Sequence, residues 1–281
     1  MPRVVILGAK GGPAVRQGGA MPTSLLVDMG GAQIVVDCGL GVTRGLVEAG
    51  MDLRALSHVV ITHLHSDHVL ELGPLIHTAW TTGLQTPVDI WGPRGLRDYW
   101  AGFMASMAYD SSLRVEDEGR PPLESLVRLH VLEEGPFSIG PLQGRALRVP
   151  HPPVTDCFAL RLEAEGKTLC LSADTAPFAP LADFARNADL LLHEAMLPEG
   201  LEAIIAKTGM GEKLRAHLTN SHSTADAAAC IATQAGAKHL AFYHLIPADD
   251  PAFTEAHWRA AIKGHWDGPF TLARDGLVIE F

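Results

Sequence analysis

No apolar run in this sequence approaches the roughly 18 residues of a membrane-spanning helix, so a membrane partner is not expected. There is no Cys-x-x-Cys pair either. The four cysteines, Cys38, Cys157, Cys170 and Cys230, are scattered, and three lie in apolar stretches. That favours buried free thiols in a reducing compartment. "MPRVVILGAKGG" offers one arginine, a short apolar run and then glycines, and reads as a first strand, not as a secretory signal. A cytoplasmic location follows as the expectation. Positive charge is scarce, with 22 Lys and Arg against 32 Asp and Glu, a net charge of −10. Such a surface repels phosphate backbones, so long nucleic acid is not an expected partner and a small-molecule substrate is.

What the chain does have is core-forming material: 47% of residues are hydrophobic and 19% charged. Its 281 residues admit one large domain or two small ones. "RVVILG", "TSLLVDM" and "AQIVVDCG" read as strands, and the "GG" at 30–31 joins the last two as a hairpin. Helical "VTRGLVEAG" ends on Gly50. Strand "SHVVITH", helical "LELGPLIHTAWTTG", strand "VDIWGP" and a helix over 94–108 follow. Residues 108–122, polar and rich in breakers, read as a loop or lid. The second half repeats the scheme, with a meander of four strands beginning at "LVRLHVLEEG". Helices are expected near 178–186, 197–208, 222–235 and 253–263, with "KHLAFYHL" a strand and "FTLARDGLVIEF" a closing hairpin. No clean linker divides the halves. The expectation is a single α/β domain over 1–281, two sheets face to face with helices outside.

The chemistry concentrates in "THLHSDH", residues 62–68, which sets His63, His65, Asp67 and His68 directly after the apolar run "LSHVVI". Zinc prefers imidazole nitrogen and carboxylate oxygen. Alternate residues of the motif can converge on one ion, while Asp67 and His68 reach a second nearby. Two ions need further ligands, and His151 in "RVPHPP", Asp174 in "LSADT" and His244 in "AFYHLIP" each stand just past an apolar strand. A lone histidine at a strand end is usually structural. Four such strand ends together favour metal.

These residues resemble the metallo-β-lactamase superfamily of αββα metallohydrolases, over essentially the whole chain from "ILGAKGGPAVRQGG" to "YHLIP". The resemblance implies a four-layer αββα sandwich of two mixed β-sheets flanked by helices. It implies one zinc on His63, His65 and His151, a second on Asp67, His68 and His244, and Asp174 bridging the two, with Mn2+ or Fe2+ as alternatives. "VDCGLGVTRGL", "LLHEAM" and "SHSTADAAA" are similar to ribonuclease Z and its arylsulfatase-like and cyclic-phosphodiesterase-like relatives. In that group the glutamate of HEA orients the histidine of HST, which helps to protonate the leaving group; here these are Glu194 and His222. Residues 221–229 also read as a helix start capped by Ser221 or Ser223.

The expected activity is therefore that of a dinuclear zinc hydrolase, with Asp67, His222 and Glu194 essential to turnover. A water shared by two zincs has its pKa lowered from 15.7 toward about 7, and supplies a bridging hydroxide. A small phosphodiester or related ester fits best, with lactones and aryl sulfates as alternatives. Ribonuclease Z proper carries a tRNA-grasping arm between the third ligand motif and the bridging aspartate. Here His151 and Asp174 stand only 23 positions apart, which argues against tRNA 3′-processing. A β-lactamase would be exported, and a redox member would carry a flavodoxin-like domain. A lactonase would want a pocket tyrosine; of Tyr99, Tyr109 and Tyr243, the last should point away if His244 points in. His77, Trp80, Met104, Met107 and Tyr109 are candidates for core or pocket wall, His217 for a neighbour of the site, and Asp37 for a support beneath the ligands. His130, His239, His257 and His265 read as structural or solvent-facing. Exposed-looking Trp80 and Met104 suggest a homodimer.

Overall fold

The computed structural model describes residues 1–208 and 211–281. Its elements run β1 (Arg3–Gly8), β2 (Ser24–Met29), β3 (Ala32–Val36), α1 (Val42–Glu48), β4 (His58–Val60), α2 (Ser66–Val69), α3 (Leu72–Thr82), β5 (Val88–Gly92), α4 (Leu96–Glu118), β6 (Val127–Val131), β7 (Gly135–Ile139) and β8 (Leu142–Arg148). They continue with β9 (Phe158–Ala164), β10 (Lys167–Leu171), α5 (Pro180–Phe184), β11 (Leu190–Met196), α6 (Pro198–Thr208), α7 (Gly211–Ser221), α8 (Ala225–Ala235), β12 (Leu240–Ile246), α9 (Glu255–Ile262), β13 (Phe270–Leu272) and β14 (Val278–Glu280).

Two seven-stranded mixed sheets form, in the orders β14-β1-β2-β3-β4-β5-β6 and β13-β12-β11-β10-β9-β8-β7. The central strands are covered on both faces, which is why they read as continuous apolar runs rather than alternating ones. Every residue of β11 and of β12 is buried. Ile6, Val27, Ile34, Leu160, Leu171 and Leu192 pack between the sheets. The outer face of the first sheet packs on α1, α3 and the start of α4 through Leu46, Ile76, Trp80 and Trp100. The outer face of the second packs on α5, α8 and α9 through Leu181, Ala228, Ala232 and Trp258. The architecture is the expected αββα sandwich. The β2–β3 hairpin turns on Gly30 and Gly31 at φ 58° and 78°, where a side chain would be disfavoured. No helix among the described residues is long and apolar enough to cross a membrane.

Four expectations need correction. Residues 108–118 are not a loop: they complete the 23-residue α4. Arg114 lies 2.9 Å from Asp110 and 2.8 Å from Glu118, both one turn away, so this exposed end gains support from its charges rather than from an apolar stripe. "FTLARDGLVIEF" is not a hairpin, because β13 joins β12 in one sheet and β14 joins β1 in the other. β6 belongs to the first sheet, parallel to β5, and not to the meander of the second half. Trp80 is fully buried, its indole N–H donating to Pro121 O at 2.9 Å, so it offers nothing to a partner.

Candidate metal centre

The ligand candidates collect where strands of both sheets end. β4 runs into Thr62 and His63, β8 into His151, β10 into Asp174, and β12 carries His244. The register of β11 with β12 skips His244: Glu194 faces Tyr243 and Ala195 faces Leu245. Strand alternation points Tyr243, like Ala241, into the core between the sheets, away from the site as expected, and the one-residue bulge after it frees His244 from the ladder at φ 45°. Ala173, beside Asp174, and Asp37 are likewise held at positive φ, 52° and 60°.

All seven residues come together in two groups joined by Asp174. His63, His65 and His151 share it on one side; Asp67, His68 and His244 share it on the other, with ligand atoms within 4.8 Å of one another in each group. From Asp174 Oδ2 it is 3.0 Å to His244 Nε2, 3.4 Å to His68 Nε2, 3.7 Å to His63 Nε2 and 3.8 Å to His151 Nε2. Two ligands of one tetrahedral zinc, each bonded at about 2.1 Å, stand about 3.4 Å apart. The buried atoms His63 Nε2, His68 Nε2, His244 Nε2 and Asp174 Oδ1 have no hydrogen-bond partner among the described residues. Buried polar atoms of that kind are costly unless something binds them, and imidazole with carboxylate is a zinc donor set. The residues fit the ions.

Groups behind the candidate ligands aim them. His68 Nδ1 donates to Asp37 Oδ2 at 2.7 Å, and Asp37 also accepts from the Thr62 N–H and hydroxyl. His63 Nδ1 lies 3.2 Å from that hydroxyl, and His151 Nδ1 donates to Ser221 O at 2.9 Å. A proton on Nδ1 leaves the inward Nε2 lone pair bare in each ring. Asp37 therefore has the supporting place expected for it. Asp67 Oδ2 accepts the Gly12 N–H at 2.7 Å. A Cβ on Gly11 would lie 2.8 Å from the His244 ring, so glycine permits this loop to close on the ligand.

Asp37, Asp67, Asp174 and Glu194 are all buried carboxylates, and no lysine or arginine is paired with them in the described ion pairs. Burial disfavours the charged carboxylates of Asp67 and Asp174, but the facing imidazoles outweigh it and hold both well below the usual range. Burial likewise opposes charge on His68, yet the carboxylates of Asp174, Asp37 and Asp67 push it up to about 10. His65 goes the other way, to about 4, through burial and the neighbouring His151. The cluster demands positive charge, as protons or as metal.

Glu194 and His222 meet beside the ligands. Glu194 Oε1 accepts the Thr175 N–H at 2.5 Å, and Oε2 lies 2.8 Å from His222 Nδ1. The His222 ring stacks on His244 at 5.5 Å. The helix after it is not capped by Ser221 or Ser223: Thr224 holds the cap position, while Ser221 Oγ donates to Pro152 O and Ser223 Oγ to Thr175 O.

The cluster floors a cavity of about 340 Å³. His217 lines it, its ring 6.1 Å from those of His65 and His151. Its other walls are the loop after β1, with Lys10 and Arg16, and apolar side chains including Ile204, Leu214 and Ile246. The helical candidates are elsewhere: His77 pairs with Asp110, Tyr109 is exposed, and none of His77, Trp80, Met104, Met107 or Tyr109 lines this cavity. The only sequence signal for the true wall was the glycine pair following a charged residue in "AKGGP".

A family model described as anti-Pycsar protein Apyc1 matches residues 4–235. Ribonuclease Z of Mycobacterium bovis (strain BCG / Pasteur 1173P2) is 30% identical over 92% of this chain and 91% of its own length. Ribonuclease Z of Mycolicibacterium paratuberculosis is 32% identical over 98% and 96%. Among solved structures, the metallo-β-lactamase fold protein YhfI from Bacillus subtilis superimposes with a TM-score of 0.73 at 22% identity, covering all of both chains. Human tRNase Z, short form, gives 0.67 at 22% identity, covering 99% and 98%. At such identities the structural likeness speaks to fold alone. The ribonuclease Z relatives overturn the exclusion of long nucleic acid. A net charge of −10 sums the whole surface and does not report the sign at the pocket, whose rim carries Lys10 and Arg16.

Proposed function

Because the chain belongs to the family described as anti-Pycsar protein Apyc1, within the ribonuclease Z-like branch of the metallo-β-lactamase superfamily, we propose that it is a dinuclear zinc phosphodiesterase acting on nucleotide phosphodiesters, RNA included. It is a metal-dependent hydrolase. The reading is carried by Asp174 Oδ2, which faces four histidine nitrogens at 3.0–3.8 Å. On this reading His63, His65 and His151 would hold one ion and Asp67, His68 and His244 the other, with Asp174 available to both. Bound there, the ions supply a nucleophilic water at neutral pH and polarise the phosphoryl oxygen.

The chain's own residues do the rest. Asp37, Thr62 and the Ser221 carbonyl keep the ligand rings turned inward. Glu194 fixes the tautomer of His222 and stabilises its imidazolium, so that Nε2 carries the proton given to the leaving oxygen. Departure of a ribose oxygen needs that proton far more than departure of a phenolate. The test is turnover by zinc-loaded protein of bis(p-nitrophenyl) phosphate and a 3′-extended precursor tRNA, beside p-nitrophenyl sulfate and a lactone. Turnover of the sulfate or lactone in preference to both phosphodiesters would overturn the reading.

A further inference from the structure

His217 lines the cavity, yet it belongs to neither group of candidate ligands, and the hydrolytic chemistry leaves it unused. Its ring lies 5.9 Å from that of His222 and 6.1 Å from those of His65 and His151. It stands on α7, whose residues Leu214, His217 and Leu218 all line the cavity. That spacing is one face of a helix. His222 continues it directly after α7, its N–H donating to Leu218 O at 3.2 Å. A group that takes a proton from His222 therefore departs along this face of α7.

The hydrogen bonds around Ser221 assign the tautomer of His217. Ser221 Oγ has one proton and gives it to Pro152 O. His217 Nδ1 lies 3.5 Å from that oxygen, which can there only accept. The contact takes a proton on Nδ1 and leaves Nε2 with a bare lone pair. His222 is the opposite case, since Glu194 holds its Nδ1 and its Nε2 carries the proton to be given. A donor imidazole and an acceptor imidazole thus stand side by side. Hydrogen bonds of about 2.8 Å from rings at this separation reach two oxygens on neighbouring carbons. In a nucleotide phosphodiester only O3′ of a ribose has such a neighbour, the 2′-hydroxyl; O5′ has none. Leu214, Leu218, Ile204 and Ile246 add an apolar surface on which the face of a base can lie.

We propose that His217 reads the ribose 2′-hydroxyl of the departing nucleoside, accepting its hydrogen bond at Nε2 while His222 protonates the vicinal O3′. The inference rests on the phosphodiesterase reading and deepens it: the preferred substrate is a ribonucleotide phosphodiester that parts at O3′. Water gives its hydroxyl to phosphorus, the P–O3′ bond breaks, the proton of His222 goes to O3′, and the remaining proton of the water restores His222. The products are a nucleoside with free 2′- and 3′-hydroxyls and a 5′-phosphomonoester.

The test uses zinc-loaded protein and three dinucleotides: ApA, dApA, which lacks only the 2′-hydroxyl beside the departing O3′, and ApdA, which lacks only the other one. The wild type should prefer ApA over dApA about ten-fold in kcat/KM, the worth of one hydrogen bond, and treat ApdA like ApA. Adenosine and 5′-AMP should be the products of ApA. His217→Leu should lose the preference for ApA over dApA. His217→Gln, whose Oε1 accepts from the same hydroxyl, should keep part of it. A purely structural role for His217 would lower turnover of both dinucleotides alike and leave their ratio unmoved. Turnover of bis(p-nitrophenyl) phosphate with none of ApA, with a wild-type ratio near one, with an unchanged ratio in His217→Leu, or with adenosine 3′-phosphate as product overturns the 2′-hydroxyl subsite alone. No turnover of bis(p-nitrophenyl) phosphate or of any dinucleotide sinks the phosphodiesterase reading, and the subsite with it.

Discussion

Glu194 Oε2 lies 2.8 Å from His222 Nδ1 inside a buried cluster. Burial alone would drive the imidazole toward neutrality. The carboxylate outweighs that and raises the His222 pKa above its ordinary value. The sign follows: the pair's contribution is complete below the unfolded value of about 6.5 and is lost as pH rises through the folded one. With His222 as proton donor, the alkaline limb of kcat should therefore lie above about 6.5, and Glu194→Gln should move it down. A limb that stays put in Glu194→Gln would show that another group gives the proton.

Replacing the imidazole outright separates acid catalysis from metal binding. His222→Ala should keep its metal and lose about 10²–10⁴ in rate on a poor leaving group. The loss should shrink for a p-nitrophenyl ester. An equal loss on both would point to stabilisation of transition-state charge. Loss of zinc would mean that His222 is itself a ligand.

Metal content is directly measurable. Elemental analysis after zinc reconstitution should give about two ions per chain, and a single ion would contradict the dinuclear reading. Chelation should also destabilise the fold. Ions present at about 1,000 times their Kd contribute about 4 kcal/mol, or roughly 10 °C in Tm for a chain of this size. A calorimetric scan with and without chelator measures it.

Gly11→Ala should act on the metal rather than on the fold, because the added Cβ falls 2.7 Å from the Ile246 side chain, which can turn aside, and 2.8 Å from the His244 ring. Displacing a ligand should weaken the second ion by about 10–100-fold. The circular dichroism spectrum should stay native. Full zinc affinity in this variant would show that the loop yields instead of the ring.

Trp80→Ala tests the corrected role of that side chain. It sits fully buried on α3 against the turn after α4. Truncation should cost about 3–5 kcal/mol in chemical denaturation. A neutral result would return Trp80 to the surface.

The clustering of the candidate metal ligands was legible because its signals are local. His63, His65, Asp67 and His68 fall within six consecutive positions, and His151, Asp174 and His244 each follow an apolar strand. Alternation along β12 was enough to turn Tyr243 to the core, whereas the bulge at His244 left no mark in the sequence. α4 was hidden because its exposed end has no apolar stripe, and its support comes from the Asp110–Arg114–Glu118 row. The closing strands were legible as strands, but alternation does not say which sheet a strand joins. The charged rim of the cavity was invisible for a different reason: Arg16 and its partner Asp249 are 233 residues apart in sequence. The sign of net charge misled for the same reason, since it carries no positional information.

Asp37, Ala173 and His244 all sit in left-handed backbone that side chains avoid, and each is at or beside the metal cluster. Each such residue costs on the order of 1–2 kcal/mol relative to glycine. Selection for durability would therefore erode the pocket: glycine at 244 would relax the bulge and remove the ligand at once. Stabilising this enzyme by consensus or by screening on melting temperature alone should repeatedly recover inactive variants at these positions, so such a screen has to be paired with a metal or turnover readout.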